Sequence, residues 1–251
     1  MASFKTLVLI TGATNGIGFE LATQLLAKST YHVLLGARSP EKGHAAIETI
    51  RTKNLPGSGS INLLHIDVTN DATIEAAAQH VQSVHGHLDI LVNNAAVSCM
   101  LSPPNLREQM RTSLDTNATG PAVVTSIFAP LLQRSISQSR RIISITSGAG
   151  SITQRLDPAS AMYKVQQVQY RASKAALHMV SACQVVEFEP YGVKVFLYDP
   201  GFTQSNLGPH NRVENGARDV ADSVRPLVDV LEGKRDGEVG RILHNTGSYS
   251  W

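Results

Sequence analysis

A chain of 251 residues, 42% of them apolar, has material for one sizeable core, and a formal net charge of +2 without a basic run excludes a surface built for nucleic acid or membrane. Two cysteines, Cys99 and Cys183, stand far apart without a metal-type spacing, which excludes a disulfide framework and a zinc site. Among nine histidines only His85 and His87 are close neighbours, in the Gly-containing turn "HGHLD", and nothing completes a ligand set, so no metal is expected.

The first predicted element is the strand "TLVLI" (6–10). The apolar run around it is too short for a signal-peptide core or a membrane span, so the expected location is cytoplasmic. The chain then enters a Gly-rich turn, Thr11-Gly12-Ala13-Thr14-Asn15-Gly16-Ile17-Gly18, and a helix over 18–29. Glycines between a strand and a helix allow tight turning and let a pyrophosphate approach the backbone N–H groups of the positive helix end. The position of the turn, more than its composition, makes it a nucleotide-site candidate.

The second strand, "HVLLGA" (32–37), delivers Ala37 where an acid bonding a ribose 2′-OH would fall, and then Arg38, which suits a 2′-phosphate. A loop (51–60), a strand (61–68), a helix (71–86) and a strand (88–95) follow, and 97–105 reads equally as an apolar wall or as a plain loop. The strand "RIISITS" (141–147) leads into a second loop (151–166), which leads to the helix 170–192. A strand (193–199) and, after a turn, a last strand (240–245) with a short terminus packing back complete the chain. Strands that are continuously apolar, alternating with helices, indicate a parallel sheet covered on both faces. The expected fold is therefore α/β, a Rossmann-type doubly wound parallel sheet in a single domain spanning 1–251.

Tyr170 and Lys174 open the helix 170–192 four residues apart, so they share a face. A phenol has a pKa of about 10, and working near neutrality requires roughly 3 units, or about 4 kcal/mol. One ammonium about 4 Å away at an effective dielectric near 20 supplies on the order of 4 kcal/mol. The expectation is a tyrosine made more acidic by its lysine and so able to act as an acid or base.

"TGATNGIG", "NNAA" (93–96), Ser147 at its strand end, Tyr170-x-x-x-Lys174 and "DPGFTQS" (199–205), in this order, resemble the short-chain dehydrogenase/reductase family along nearly the whole chain, in particular its NADP-preferring, carbonyl-reductase-like members. The resemblance implies Tyr170 as acid/base, Lys174 as its electrostatic partner and ribose ligand, Ser147 as donor to the substrate oxygen, and Asn117 as holder of a water linking the lysine to solvent. It implies dinucleotide contacts from Thr11, Gly12, Asn15, Gly16, Ile17, Gly18, Arg38, Asp67, Val68 and Asn94, and from the turn Pro200-Gly201 with Thr203 or Ser205.

Several residues depart from the family pattern. Asn15 is not basic, Ala96 replaces a usual glycine, and the 22 residues between Ser147 and Tyr170 exceed the family's usual spacing. The extra length falls in 151–166, which a loop absorbs at modest entropic cost. Residues 206–217 are the expected substrate lid, short and polar, over a fairly open pocket.

The implied activity is NADP(H)-dependent interconversion of a carbonyl and an alcohol. The approximate division is a dinucleotide-binding half, 1–145, and a catalytic half, 146–251. A non-redox enzyme of the same fold, an epimerase or cyclase, and a non-catalytic dinucleotide sensor are the other readings. An intact Ser147, Tyr170 and Lys174 count against the first, and the tyrosine together with an unbroken Gly loop against the second. The implied partner is a small carbonyl or alcohol, and the helix 170–189 is the family's usual element for a homodimer or homotetramer. The lengthened loop before it could equally obstruct that surface.

Overall fold

The computed structural model of the chain describes residues 5–53, 55–57, 59–98, 105–160, 163–249 and 251. Its strands are β1 (Thr6–Ile10), β2 (Tyr31–Ala37), β3 (Ser60–His65), β4 (Ile90–Asn93), β5 (Arg141–Ile145), β6 (Lys194–Tyr198), β7 (Ile242–His244) and β8 (Gly247–Tyr249). Its helices are α1 (Gly16–Leu26), α2 (Pro40–Arg51), α3 (Asp71–Val84), α4 (Leu106–Leu114), α5 (Gly120–Arg134), α6 (Ile152–Leu156), α7 (Val168–Phe188) and α8 (Val220–Leu231). A π-helical turn, Asp115–Thr119, joins α4 to α5.

All eight strands form one sheet in the order β3-β2-β1-β4-β5-β6-β7-β8, parallel throughout except that β8 pairs antiparallel to β7. Successive residues of a strand feed opposite layers, which is why the strands read as unbroken apolar runs. In β1, Val8 and Ile10 join the core under α1, α2 and α8, while Leu7 and Leu9 join the core under α3 and α5. The strand order reverses between β1 and β4, so the chain parts there at the carboxyl ends of the strands, where open α/β sheets form a crevice.

The predicted strands are confirmed in place; β1 and β2 end where the apolar runs do, and the later ones end earlier. The run 61–68 leaves the ladder because the Thr73 hydroxyl bonds the Asp67 N–H at 2.9 Å. The run 88–95 stops at Asn93 because Thr11 Oγ1 accepts from the N–H groups of Asn94 and Ala95 at 3.0 and 3.2 Å. The helix expected over 170–192 starts at Val168 and yields at Pro190 and Gly192. The segment 151–166 is not all loop, since α6 forms in it, capped by Ser151, whose hydroxyl accepts from the Gln154 N–H at 3.3 Å. Of the apolar wall or plain loop read at 97–105, residues 99–104 lie outside the described residues.

Candidate active site

A cleft of ≈470 Å³ opens at the carboxyl ends of β1, β4, β5 and β6. On one side it is bounded by the Gly-rich turn. Gly12 and Gly16 have φ of +63° and +55°, a region that penalises any side chain, and a Cβ on Gly12 would stand 2.7 Å from Ala95 Cα. The turn is stitched to β4 by Asn94, whose Nδ2 donates to the carbonyls of Thr11 (2.8 Å) and Gly12 (3.1 Å). Gly18 lies against that same amide, and Thr11 is buried beneath the turn. Gly12, Asn15, Gly16, Ile17 and Asn94 line the cleft.

The N-terminus of α1 faces the cleft without an internal acceptor. Its cap, Asn15, makes no side-chain hydrogen bond and no acid stands in the first turn, whereas Ser39, Asn70, Asn105 and Asp219 each cap their helices. The first N–H groups of α1 therefore keep their capacity and their partial positive charge for an anion. Arg38 stands exposed at the end of β2 on the cleft wall and makes no ion pair among the described residues. Asp67 and Val68 are set back from the cleft. The Asp67 carboxylate holds the N–H and hydroxyl of Thr69 at 3.0 and 2.8 Å, and Val68 is buried.

Ser147, Tyr170 and Lys174 meet on the far wall. Ser147 caps the short 3-10 turn Gly148–Gly150, accepting from the Ala149 N–H at 3.2 Å, and its side chain is hydrogen-bonded to the Tyr170 phenol. Lys174 is 2% exposed, donates to the Ile145 carbonyl at 2.9 Å, and its Nζ lies 5.7 Å from the Tyr170 ring centre. Asn117 stands one layer behind, fully buried in the π-turn. Its amide exchanges two bonds of 2.8 Å with the backbone of Val97, and its Nδ2 also donates to Ser173 Oγ at 2.9 Å.

The ionisation of this group differs from the sequence expectation. Burial pushes the Tyr170 phenol up, the nearby Asp199 charge pushes it further, and only the Ser147 hydrogen bond acts downward. Lys174 is itself lowered to about 8 by burial, so desolvation outweighs the acidifying effect expected of the pair.

Two residues unmarked in the sequence reading belong to this layer. Asp199 directly follows β6 and lines the cleft; it opens the "DPGFTQS" segment, for whose acid the resemblance implied no role. His178, one turn beyond Lys174 on α7, is buried with Nε2 2.6 Å from Thr146 Oγ1, and burial followed by the Lys174 charge lowers it to about 4.

The lid is tied down more firmly than a short polar loop suggests. Ser98 Oγ donates to the Leu207 carbonyl at 2.6 Å, Arg212 Nη1 to that of Ser205 at 2.7 Å, and Asn211 Nδ2 to that of Thr203 at 3.0 Å. Pro200, Gly201, Thr203 and Ser205 all line the cleft, but the buried Thr203 hydroxyl is engaged by the Pro200 and Gly201 carbonyls and by Ser223 Oγ. The inserted segment is fastened too. Arg155 bonds the Tyr163 carbonyl, Arg171 bonds the carbonyls of Val165 and Ala149, and Thr153 bonds the Trp251 carbonyl at 3.1 Å.

A parallel sheet with this crevice, glycine turn and tyrosine–lysine pair defines a class of dinucleotide-dependent oxidoreductases. The chain belongs to its short-chain dehydrogenase family, whose model matches residues 6–215. It is 39% identical to the short-chain dehydrogenase anuI of Penicillium roqueforti over 95% of this chain and 94% of that one. It is 35% identical to the short-chain dehydrogenase/reductase tropE of Talaromyces stipitatus over 98% and 97%. Among solved structures, the NADPH-bound carbonyl reductase from chicken fatty liver superposes with a TM-score of 0.83 at 26% identity, covering 99% of this chain and 100% of that one.

Proposed function

We propose that this protein is an NADP(H)-dependent reductase of a neutral ketone or aldehyde, reversible to the alcohol. The observation that carries this reading is the convergence of Ser147, Tyr170 and Lys174 on a cleft whose other wall is a helix N-terminus without a side-chain cap and an arginine that has no ion pair among the described residues. Those two features fit a phosphorylated dinucleotide. Gly12, Asn15, Gly16 and Ile17 would take the pyrophosphate, with Thr11, Gly18 and Asn94 fixing the turn that carries it. Arg38 would take the 2′-phosphate, and Asp67 and Val68 the adenine side. Pro200, Gly201 and Ser205 would meet the nicotinamide end, Ser205 before Thr203 because the Thr203 hydroxyl is already engaged. The chicken liver enzyme is NADPH-bound, and a metagenomic short-chain oxidoreductase solved in complex with NADP has a TM-score of 0.69 at 26% identity. On this reading residues 1–145 mainly hold the dinucleotide and 146–251 the chemistry.

When bound, the reduced dinucleotide supplies the hydride that adds to the carbonyl carbon. Ser147 donates a hydrogen bond to the carbonyl oxygen, and Tyr170 gives that oxygen its proton. Lys174 holds the phenol side of the site and the ribose. Asn117 braces the Val97 loop against α7 just before Lys174, beside the water path to solvent that the family role assigns it. Apart from Arg38, Lys174 and Asp199, no charged side chain lines the cleft among the described residues, which favours a substrate without a phosphate or carboxylate handle. A homodimer or homotetramer is part of the reading, because Met179 and Val186 stand 66% and 71% exposed along α7. A cytoplasmic location accords with it, and no described helix is long and apolar enough to cross a membrane.

The test is a titration with NADPH and NADH, repeated on Arg38→Asp, together with NADPH oxidation by simple diketones and quinones in wild type and Tyr170→Phe. Tighter NADPH binding, reversed by the Arg38 change, and turnover lost in Tyr170→Phe with binding intact are expected. Binding of neither dinucleotide overturns the cofactor assignment. Binding without reduction of any carbonyl overturns the reductase.

A further inference from the structure

Asp199 is the buried charged group of the cleft that the chemistry above leaves without a task. It is 5% exposed and lines the same wall as Ser147, Tyr170 and Lys174. Its Oδ2 accepts from the Gly148 N–H at 2.7 Å, and its Oδ1 from the Gly201 N–H at 2.8 Å. One carboxylate thus grips both the residue after Ser147 and the turn after β6. Burial pushes the Asp199 carboxyl up, and the two N–H bonds, with His244 and Lys174, act against it; each oxygen facing a donor is an arrangement that suits the ionised acid, since a protonated acid or an amide would turn a donor toward an N–H. No salt bridge neutralises it among the described residues.

The groups that feel this charge come from every element around it: Tyr170 and Lys174 on α7, His244 on β7, Tyr249 on β8 and Tyr198 on its own strand. A fixed negative charge opposes a second one on the Tyr170 oxygen and favours the ammonium of Lys174. We propose that Asp199 is a positioning residue that sets the acid–base polarity of the site, keeping Tyr170 a neutral phenol and Lys174 an ammonium, so that the resting site is charged to give a proton. The inference rests on the reductase reading and deepens it with a residue-level reason for the reducing direction.

In reduction the carbonyl carbon gains the hydride, the C=O electron pair moves to oxygen, and that oxygen takes the Tyr170 proton. The phenolate left behind is reprotonated from the lysine side or from solvent. In oxidation the phenol must first lose its proton, and Asp199 delays that loss to higher pH. Burial and Asp199 both hold Tyr170 toward the neutral phenol, whereas at Lys174 burial works against the ammonium and Asp199 is the charge that opposes that loss.

Two measurements test the proposal on wild type, Asp199→Asn and Asp199→Glu. In the first, lysine-selective isotope-labelled NMR of the protein without dinucleotide, assigned with Lys174→Arg, gives the Lys174 titration midpoint. It is expected to fall in Asp199→Asn and to stay near wild type in Asp199→Glu. In the second, the pH dependence of alcohol oxidation is expected to move down by about one unit or more in the Asn variant, with the Glu variant restoring the wild-type profile. An unmoved Lys174 midpoint, or equal effects of Asn and Glu on both readouts, overturns the proposal and leaves Asp199 a backbone brace. The lysine titration needs no turnover, so failure of the reductase reading would appear in the carbonyl assay and not in this one.

Discussion

At Tyr170 the spacing to Lys174 was readable from the sequence, but the state of the proton was not. Spacing on a helix fixes which side chains share a face, whereas the pKa depends on how much water the fold removes and on Asp199, which arrives from another strand. Ser147 was readable only through the family resemblance and its place ahead of Tyr170, since a hydroxyl at a strand end carries no such signal by itself. Replacing it by alanine is expected to lower kcat about 10²–10³-fold with a smaller change in KM, because the hydroxyl matters most as charge develops on the substrate oxygen. Steady-state kinetics on a reduced diketone would check this, and a loss confined to KM would sink the assigned role. Gly12→Ala is expected to destabilise the protein by about 1–3 kcal/mol in urea unfolding, since φ is +63° and Ala95 blocks the new Cβ.

Among the elements, α7 carries the greatest electrostatic load. Lys174 and His178 lie one turn apart, and His178 is kept neutral with its pKa lowered from 6.5 to about 4. The unfolded chain binds that proton near 6.5, so the stability linked to His178 is complete above that pH and is lost as pH falls toward 4, up to about 3 kcal/mol. Urea midpoints measured across this window should fall in wild type and fall much less in His178→Gln. Parallel slopes would remove His178 from the explanation. The long periodic helices were legible, but α6 was not. Five residues are too few for a periodic signal, and what holds α6 is a serine cap and bonds from Thr153 and Arg155 to distant carbonyls. The early strand ends escaped sequence reading likewise, because the hydroxyl of Thr73, in the next helix, and that of Thr11, far back along the chain, replace ladder partners.

For the molecule as a whole, the alternation of apolar strands with helices was enough to read the doubly wound sheet. The closing β7–β8 hairpin was foreseen only as a terminus that packs back, since β8 has three residues and no pattern of its own. The two cores meet at β1, where Leu9 is 0% exposed and pairs with Leu34 and Leu91 on either side. Leu9→Ala is expected to cost about 2–5 kcal/mol in denaturant unfolding.

Arg38 stands apart from this interior. It is exposed and ion-pairs with nothing among the described residues, while Lys174 is bonded to the Ile145 carbonyl and Asn117 to the backbone of Val97. Arg38→Asp should therefore unfold within about 0.5 kcal/mol of wild type even as it changes which dinucleotide is preferred. If Arg38 and Tyr170 carry the roles proposed for them, the choice of electron carrier is open to drift by a single codon at no cost to folding, whereas the proton donor is locked by the architecture that surrounds it.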